Sequence, residues 1–511
     1  MKLSPKASKW INSKTLVALA LVLTVAAPLV MSRKAGSGTI TAENADRRIS
    51  IVTPHNETIR REFGEAFQVW WKEKTGETVY VNWLTLGGTS EIRMIIDGRF
   101  SSAEKAGDEG IGIDVFFGGG DYEFSVQAKK DRFAKLKVFQ DHPEWFKEEA
   151  IPQSFSGETY YDENHTWVGV CLSRFGICYN EDVLKRRGIE PPEQWEDLAD
   201  PKYFGGIALS DPNKSGSVAR AFEMLIQQQM QETAAVAELK PGESEDSYEQ
   251  RVLSEGWDKG INLIQKIGAN ARYFTDSSTK IPHDVAYGNA AAGMCVDFYG
   301  RTYEEMLKRE DGSSRMRWIS PKGGTSMSVD PVAVFKGAPD DEIAQAFVEF
   351  LLTERGQLLW NAKPGTPKGT KHHALRRMPV RRDIYTEDNM QHFTDPENPY
   401  EKTGGFVYKR ELTGKGFTAI QFVIRVICLD AHEEIKEAWV DLAKAGMLDR
   451  AYRSYRVFTD TTPVSYQNTM GNIRMQLKEG SKVDVARRAV RLGKFFRKNY
   501  KLASELAEQE K

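Results

Sequence analysis

Four short segments hold the side chains and backbone best suited to grip a ligand: Gly87-Gly88-Thr89-Ser90, Gly118-Gly119-Gly120, Ser215-Gly216-Ser217 and Thr275-Asp276-Ser277-Ser278. Each comes at the end of a run with strand character. The first N–H groups of a helix have no internal partner and carry partial positive charge, so a Ser/Gly-rich turn from strand to helix can take an anion. Glycine lets the backbone come close, and the hydroxyls of Thr89, Ser215, Ser217 and Ser277 add donors. Serine and threonine are also ordinary helix caps, so one such turn carries little weight and several in one chain carry more.

Catalytic patterns are missing. There is no G-x-S-x-G, H-E-x-x-H or phosphate-loop motif, and neither glycine run satisfies G-x-G-x-x-G. The eight histidines are scattered, with His372-His373 alone in a basic loop. No C-x-x-C or His/Cys cluster has zinc-site spacing, and the four cysteines (Cys171, Cys178, Cys295, Cys428) are read as small buried thiols. The residues therefore point to binding without turnover, and no cofactor is expected.

The elements that would position these turns alternate. Residues 48 to 53 read as a strand, Ile59, Phe63, Phe67 and Trp70 as a helix face, 78 to 84 as a strand, Ile92, Ile95 and Ile96 as a second helix, and 111 to 117 as a third strand. Strand, turn, helix in repetition is the pattern of a parallel sheet covered by helices, and such sheets bind ligands beyond the carboxyl ends of their strands. A second unit starts near 153 with an apolar hairpin at 167 to 179 and repeats the alternation. Residues 315 to 335 look extended, 340 to 360 form an amphipathic helix, 364 to 400 are loop-rich, and only helical patterns follow about 412. The last helix has an apolar set at Val485, Ala486, Ala489, Val490, Leu492 and Phe496, beneath a solvated basic face.

Composition is consistent with this. The 511 residues, 40% hydrophobic and 28% charged, suit a globular chain of more than one unit. Lys plus Arg (70) nearly balances Asp plus Glu (72), which argues against a chain built to coat nucleic acid. Lys2, Lys6, Lys9, Lys14, Arg33 and Lys34 flank an uncharged run from 15 to 31, the layout of a secretory leader. Export follows from it, either with a cleaved signal peptide or with an uncleaved anchor tethering the chain to the inner membrane.

The order of several segments resembles the extracellular solute-binding proteins of ABC importers, in the branch that includes ferric-iron, phosphonate and sugar-phosphate binders. The matching residues are Ile51-Val52-Thr53-Pro54-His55, Asp114-Val115-Phe116-Phe117 before the glycine run, and Gly169 with Tyr179-Asn180. They continue through Asp211-Pro212 before Ser215-Gly216-Ser217, then Asp297-Phe298-Tyr299, and close with Pro331 to Phe335. The resemblance implies an α/β, bilobal periplasmic-binding-protein fold of the class II type, here with a C-terminal helical extension. The expected division is a signal peptide or anchor at 1–38, the first part of lobe one at 39–152, lobe two at 153–314, a return to lobe one at 315–362, and the extension at 363–511. It also implies a periplasmic protein that captures a small solute between its lobes and delivers it to an ABC permease.

Among such proteins, ferric binders supply a histidine after the first strand, a carboxylate after the third and two adjacent tyrosines. Here His55 and Tyr299 match, while glycines and Phe298 stand at the other two places, so Fe(III) as transported ligand is disfavoured. Glycine in place of a carboxylate removes negative charge and bares N–H groups, which suits an anionic solute such as a phosphonate or sugar phosphate. The expected ligand-binding residues are Thr53, His55, Gly88, Thr89, Gly119, Ser215, Gly216, Ser217, Ser277, Asp297 and Tyr299. His55 and Tyr299 are metal ligands only under the ferric alternative. A membrane-anchored sensor or scaffold of the same fold is the remaining alternative.

Overall fold

The computed structural model describes residues 40–401 and 405–510, so the leader expected at 1–38 lies outside the described residues. Strand β1 (Arg47–Val52) buries Ile49, Ile51 and Val52. Helix α1 (Glu57–Thr75) starts where the Asn56 side chain accepts the Ile59 N–H at 3.0 Å, and it ends at Gly76, whose φ of 82° closes the last turn. Its residues Ile59, Phe63, Phe67 and Trp71, four apart, form the buried stripe. Strand β2 (Val79–Leu84) pairs parallel to β1 with Ile49 opposite Val81, and helix α2 (Thr89–Ala106) follows. Strand β3 (Val115–Phe117), shorter than the extended run read from the sequence, leads through the glycines into helix α3 (Asp121–Lys129).

Strand β4 (Val168–Ser173) joins this first sheet, and one residue later β5 (Phe175–Asn180) belongs to a second sheet. The stretch expected as a hairpin opening lobe two is therefore one continuous crossing. Both halves are wholly buried, and neither Ser173 nor Arg174 has the positive φ of a tight hairpin turn.

The second lobe then runs β6 (Ile207–Ser210), α4 (Gly216–Val236), α5 (Glu245–Asn270), β7 (Ala271–Thr275), α6 (Lys280–Ala286), β8 (Ala292–Val296), α7 (Asp297–Met306) and β9 (Met316–Ile319). Its sheet has the order β9-β5-β8-β6-β7. The chain returns after β9 rather than at 315, because β9 still pairs with β5. Strand β10 (Ser328–Val334), helix α8 (Asp341–Leu352) and the edge strand β11 (Met378–Pro379) complete the first sheet, of order β11-β4-β10-β3-β1-β2. The segment read as loop-rich thus contributes its edge strand. Two crossings, at residue 174 and over 320–327, join the lobes.

Beyond residue 405 the chain is helical: α9 (Phe417–Ile424) running into the wider turn Arg425–Leu429, α10 (His432–Ala445) and α11 (Lys482–Gln509). The helical run Arg410–Leu429 is long and apolar enough to cross a membrane by composition, yet 67% of its most apolar window is buried inside the protein. The extension packs on α5. Trp257 Nε1 donates to the Val464 carbonyl at 2.9 Å, Gln265 Nε2 donates to the Tyr500 hydroxyl at 3.0 Å, and Trp439 Nε1 donates to Asn270 Oδ1 at 2.9 Å. Helix α11 buries Leu492, Phe496, Tyr500, Ala503 and Leu506. Of the apolar set read from sequence, Ala486 and Val490 are exposed, on the first turns of α11, where Gln476 of the short helix Arg474–Glu479 donates to the Asp484 carbonyl and accepts from the Arg488 side chain.

Candidate functional site

A cavity of about 490 Å³ lies between the lobes. Among the helices that begin at its wall are α2, α3 and α4. The cap residues of α2 and α3 are Gly88 and Gly120, which have no side chain to accept a first-turn N–H, and at α2 the Glu91 carboxylate reaches back to accept the Gly88 N–H at 3.0 Å. At α4 the Ser215 hydroxyl accepts only the Val218 N–H, at 3.3 Å. Elsewhere the side chains of Asn56, Ser244, Asp340 and Ser481 cap α1, α5, α8 and α11, while α10 has no side-chain cap. The cavity therefore receives the partial positive charge of these helix ends, beside the first-turn carboxylates Glu91, Asp121 and Glu123 that also line it.

The lobes meet here. A Cβ on Gly88 would lie 2.5 Å from the Lys214 carbonyl oxygen, and one on Gly216 would lie 2.5 Å from Thr89 Oγ1. Gly118 and Gly119 have φ of 85° and 114°. A Cβ at Gly118 would fall 2.2 Å from His55 Nε2 and one at Gly119 2.4 Å from Thr89 Cγ2. The backbone angle and the neighbours both bar a carboxylate side chain from these two places.

At the floor, Arg377 from the segment before β11 reaches back under the cavity. Its guanidinium donates to Asp330 Oδ2 at 2.7 Å and to the Ser173 hydroxyl, and lies 4.4 Å from the centre of the Phe298 ring. The side chain is 1% exposed. His55, packed edge-on against Phe117 with centroids 4.6 Å apart, keeps Nε2 buried and without a hydrogen-bond partner. Burial and the neighbouring Arg377 charge push its imidazole down to about 3, so it is neutral. Burial raises the Tyr299 phenol to about 12.

On the α3 side, Glu123 is buried with Oε1 unpartnered, and burial raises its carboxyl to about 7. Beside it Arg220 donates to Glu158 Oε2 at 2.5 Å and Glu223 Oε2 at 2.6 Å, a buried charge cluster at the joint of the lobes. Burial raises the Glu158 carboxyl as well.

Of the residues singled out from sequence, the cavity wall includes His55, Gly88, Thr89, Gly119, Ser215, Gly216, Ser217, Ser277 and Tyr299. Two lie behind it. Thr53 is fully buried and its hydroxyl accepts the His55 N–H at 3.1 Å, so it positions the loop. Asp297 accepts the N–H of Arg174 at 3.1 Å and of Phe298 at 2.8 Å, tying the first crossing to the start of α7. Ser277 stands in a turn ahead of a short helix, sharing a hydrogen bond with Thr279 Oγ1 at 2.9 Å. The wall also holds the charged Glu91, Glu123, Lys214, Arg220, Lys280, Asp330 and Arg377 and the aromatic Phe417, which escaped the sequence reading, beside Asp121 and Asp276. Arg377 had one local signal, an arginine immediately before the apolar Met-Pro-Val run. Among the described residues no group of three or more His, Cys, Asp or Glu is placed to hold a metal.

Comparison with known proteins agrees with this architecture. The structure superposes on the periplasmic binding protein AfuA of Actinobacillus pleuropneumoniae, solved with fructose-6-phosphate bound, with a TM-score of 0.50 and 19% identity over 74% of this chain and 99% of that one. The phosphoglycerate transport regulatory protein PgtC of Salmonella typhimurium is 24% identical over 231 residues, 45% of this chain and 50% of PgtC. An uncharacterized protein of Haemophilus influenzae is 24% identical over 249 residues, 48% of this chain and 60% of its own length. The chain thus spans about half the length of the curated relatives it matches. The model of the bacterial extracellular solute-binding proteins matches residues 113–383, which takes in both crossings, the starts of α3 and α4 and Arg377. Two lobes, two crossings and a cavity between them suit a chain that encloses a small solute, and the chain belongs to the bacterial extracellular solute-binding protein family.

Proposed function

We propose that the protein is the periplasmic solute-capturing component of an ABC importer, and that its solute is a small organic anion carrying a phosphate or phosphonate group, handed on to a membrane permease. The observation that carries this reading is the convergence of the starts of α2 and α3, both with glycine caps, and of α4 on one interlobe cavity that also holds Lys214, Arg220, Lys280 and Arg377. Donor-rich backbone and a guanidinium suit an anionic oxygen cluster. The name of the relative PgtC, which concerns phosphoglycerate, points the same way.

Ferric capture is the second reading, and His55 and Tyr299 on one wall favour it. Against it stand a phenol held at about 12, where Fe(III) takes a phenolate, and the buried Arg377 cation beside both residues. Fe(III) takes phenolate and carboxylate oxygens, and Gly118 and Gly119 leave no room for a carboxylate at their places.

A thermal-shift panel of a hexose 6-phosphate, 3-phosphoglycerate, methylphosphonate, inorganic phosphate, neutral hexose and Fe(III) citrate tests the choice. A ligand at a hundred times its Kd adds about 2.7 kcal/mol of stability. Stabilisation by the phosphate-bearing compounds and none by neutral hexose is expected. Stabilisation by Fe(III) alone, or by none of the anions, would overturn the reading.

A further inference from the structure

Helix α9 belongs to neither lobe, yet it touches both at the edge of the cavity. Its first residue, Phe417, is 3% exposed and forms part of the cavity wall. The Phe417 ring centre lies 4.7 Å from that of Tyr122 on α3 in the first lobe, and Tyr122 and Thr418 share a hydroxyl hydrogen bond of 2.9 Å. One turn on, Gln421 Nε2 donates to the Pro212 carbonyl of the second lobe at 2.8 Å and reaches Ser90 Oγ, at the start of α2 in the first lobe, at 3.5 Å.

The two attachments differ in strength. On the second lobe the approach to α9 is fixed by the hydroxyls of Tyr408 and Thr413, which donate to Glu223 Oε1 on α4 at 2.9 and 2.6 Å, and by Gln227, which donates to the Lys409 carbonyl at 2.8 Å. Past α9, Cys428 packs on Gly268 of α5. On the first lobe α9 itself meets Tyr122 and the buried Ser90, and the approach to it adds the Tyr408 N–H, which donates to the Ser156 carbonyl at 3.0 Å, and Arg410, 3.9 Å from Asp121 of α3. The helix is rooted in lobe two and reaches across to lobe one.

We infer that α9 is a latch supplied by the C-terminal extension: its Tyr122 and Ser90 contacts hold the lobes together at the cavity mouth, and Phe417 is the wall on which the carbon body of the solute rests. The second half of this statement rests on the organic-anion reading above, and the first half does not. A lobe-to-lobe contact that needs no ligand raises the population of the closed form, and apparent affinity scales with that population. An aromatic wall adds affinity only for a solute that has a carbon skeleton to lay against it.

The test uses the full chain lacking only its leader. In the ligand-free protein, Thr418→Val with Gln421→Ala should enlarge the radius of gyration measured by small-angle X-ray scattering, with an unchanged circular-dichroism spectrum. Release of a bound hexose 6-phosphate should become about ten-fold faster, the effect of losing one or two neutral hydrogen bonds. Phe417→Ala should weaken binding of the hexose 6-phosphate by about ten-fold and leave inorganic phosphate nearly unaffected, and Phe417→Leu should retain most of the affinity. An unchanged radius of gyration in the double variant would overturn the latch, and equal losses for both phosphates would overturn the Phe417 wall. Failure of every phosphate-bearing probe on the unmodified protein would sink the anion reading and the wall with it, while scattering still decides the latch.

Discussion

Glu123 sits in the first turn of α3, where a carboxylate normally profits from the helix end, yet here burial dominates and raises its carboxyl from 4.5 to about 7. Arg93 and Arg220 pull the value down and Asp121 pushes it up. The folded protein therefore holds this proton more tightly than the unfolded chain does. Its stabilising contribution is complete below the unfolded value near 4.5 and is lost as pH rises through about 7, at a cost of ~3 kcal/mol. Glu123→Gln should be more stable than the parent by an amount that grows across this window, read from urea midpoints at several pH values. A pH-independent difference would show that Glu123 does not carry the proton. Arg377 makes a second prediction at this scale. Arg377→Met leaves Asp330 beside the cavity without its cation and should cost about 3–5 kcal/mol, whereas Arg377→Met with Asp330→Asn should recover part of the loss. Glu123 gave no signal in the sequence and Arg377 only its place before an apolar run, since a buried charge shows itself mainly through partners brought near by folding, as Asp330, 47 positions away, does for Arg377.

Elements were more legible than charges. The alternation in β1 and the four-residue spacing in α1 are periodic signals that a single sequence displays, and the glycine and serine turns fell where helices begin. The crossing at Arg174 was misread because two wholly buried strands in series have the same apolar pattern as a hairpin, and only the partner strands distinguish them. Gly88 gives the prediction for this scale. Its φ of −73° and ψ of 169° are open to any residue, so Gly88→Ala strains no dihedral and should cost only about 0.5–1 kcal/mol of stability through alanine's weaker capping. The added Cβ, 2.5 Å from the Lys214 carbonyl oxygen, blocks the approach of α2 to the second lobe. Affinity for a phosphate-bearing solute should fall about ten-fold or more in a calorimetric titration, and a parent-like affinity would mean that the lobes need not touch there for binding.

At the scale of the whole molecule, the order of elements announced two α/β lobes, but nothing in the extension announced which lobe it joins. Long-range packing decides that. Trp439 of α10 donates to Asn270 Oδ1, and the same Asn270 amide donates to the carbonyls of Leu198 and Asp200 inside lobe two at 2.9 and 2.8 Å. Tyr500 of α11 accepts from Gln265 of α5 and donates to the Ile427 carbonyl at 3.0 Å. Lobe two and the extension thus share one core, with α5 between them, and should open as one cooperative unit. Trp439→Ala, which empties a fully packed indole site, should cost about 3–5 kcal/mol. In native-state hydrogen exchange the loss of protection should appear together in α5, β7 and α11, with α1 and β1 of lobe one unaffected. Loss confined to α10 and α11 while α5 keeps its protection would mean that the extension folds as a separate body, and the shared core would then be refuted.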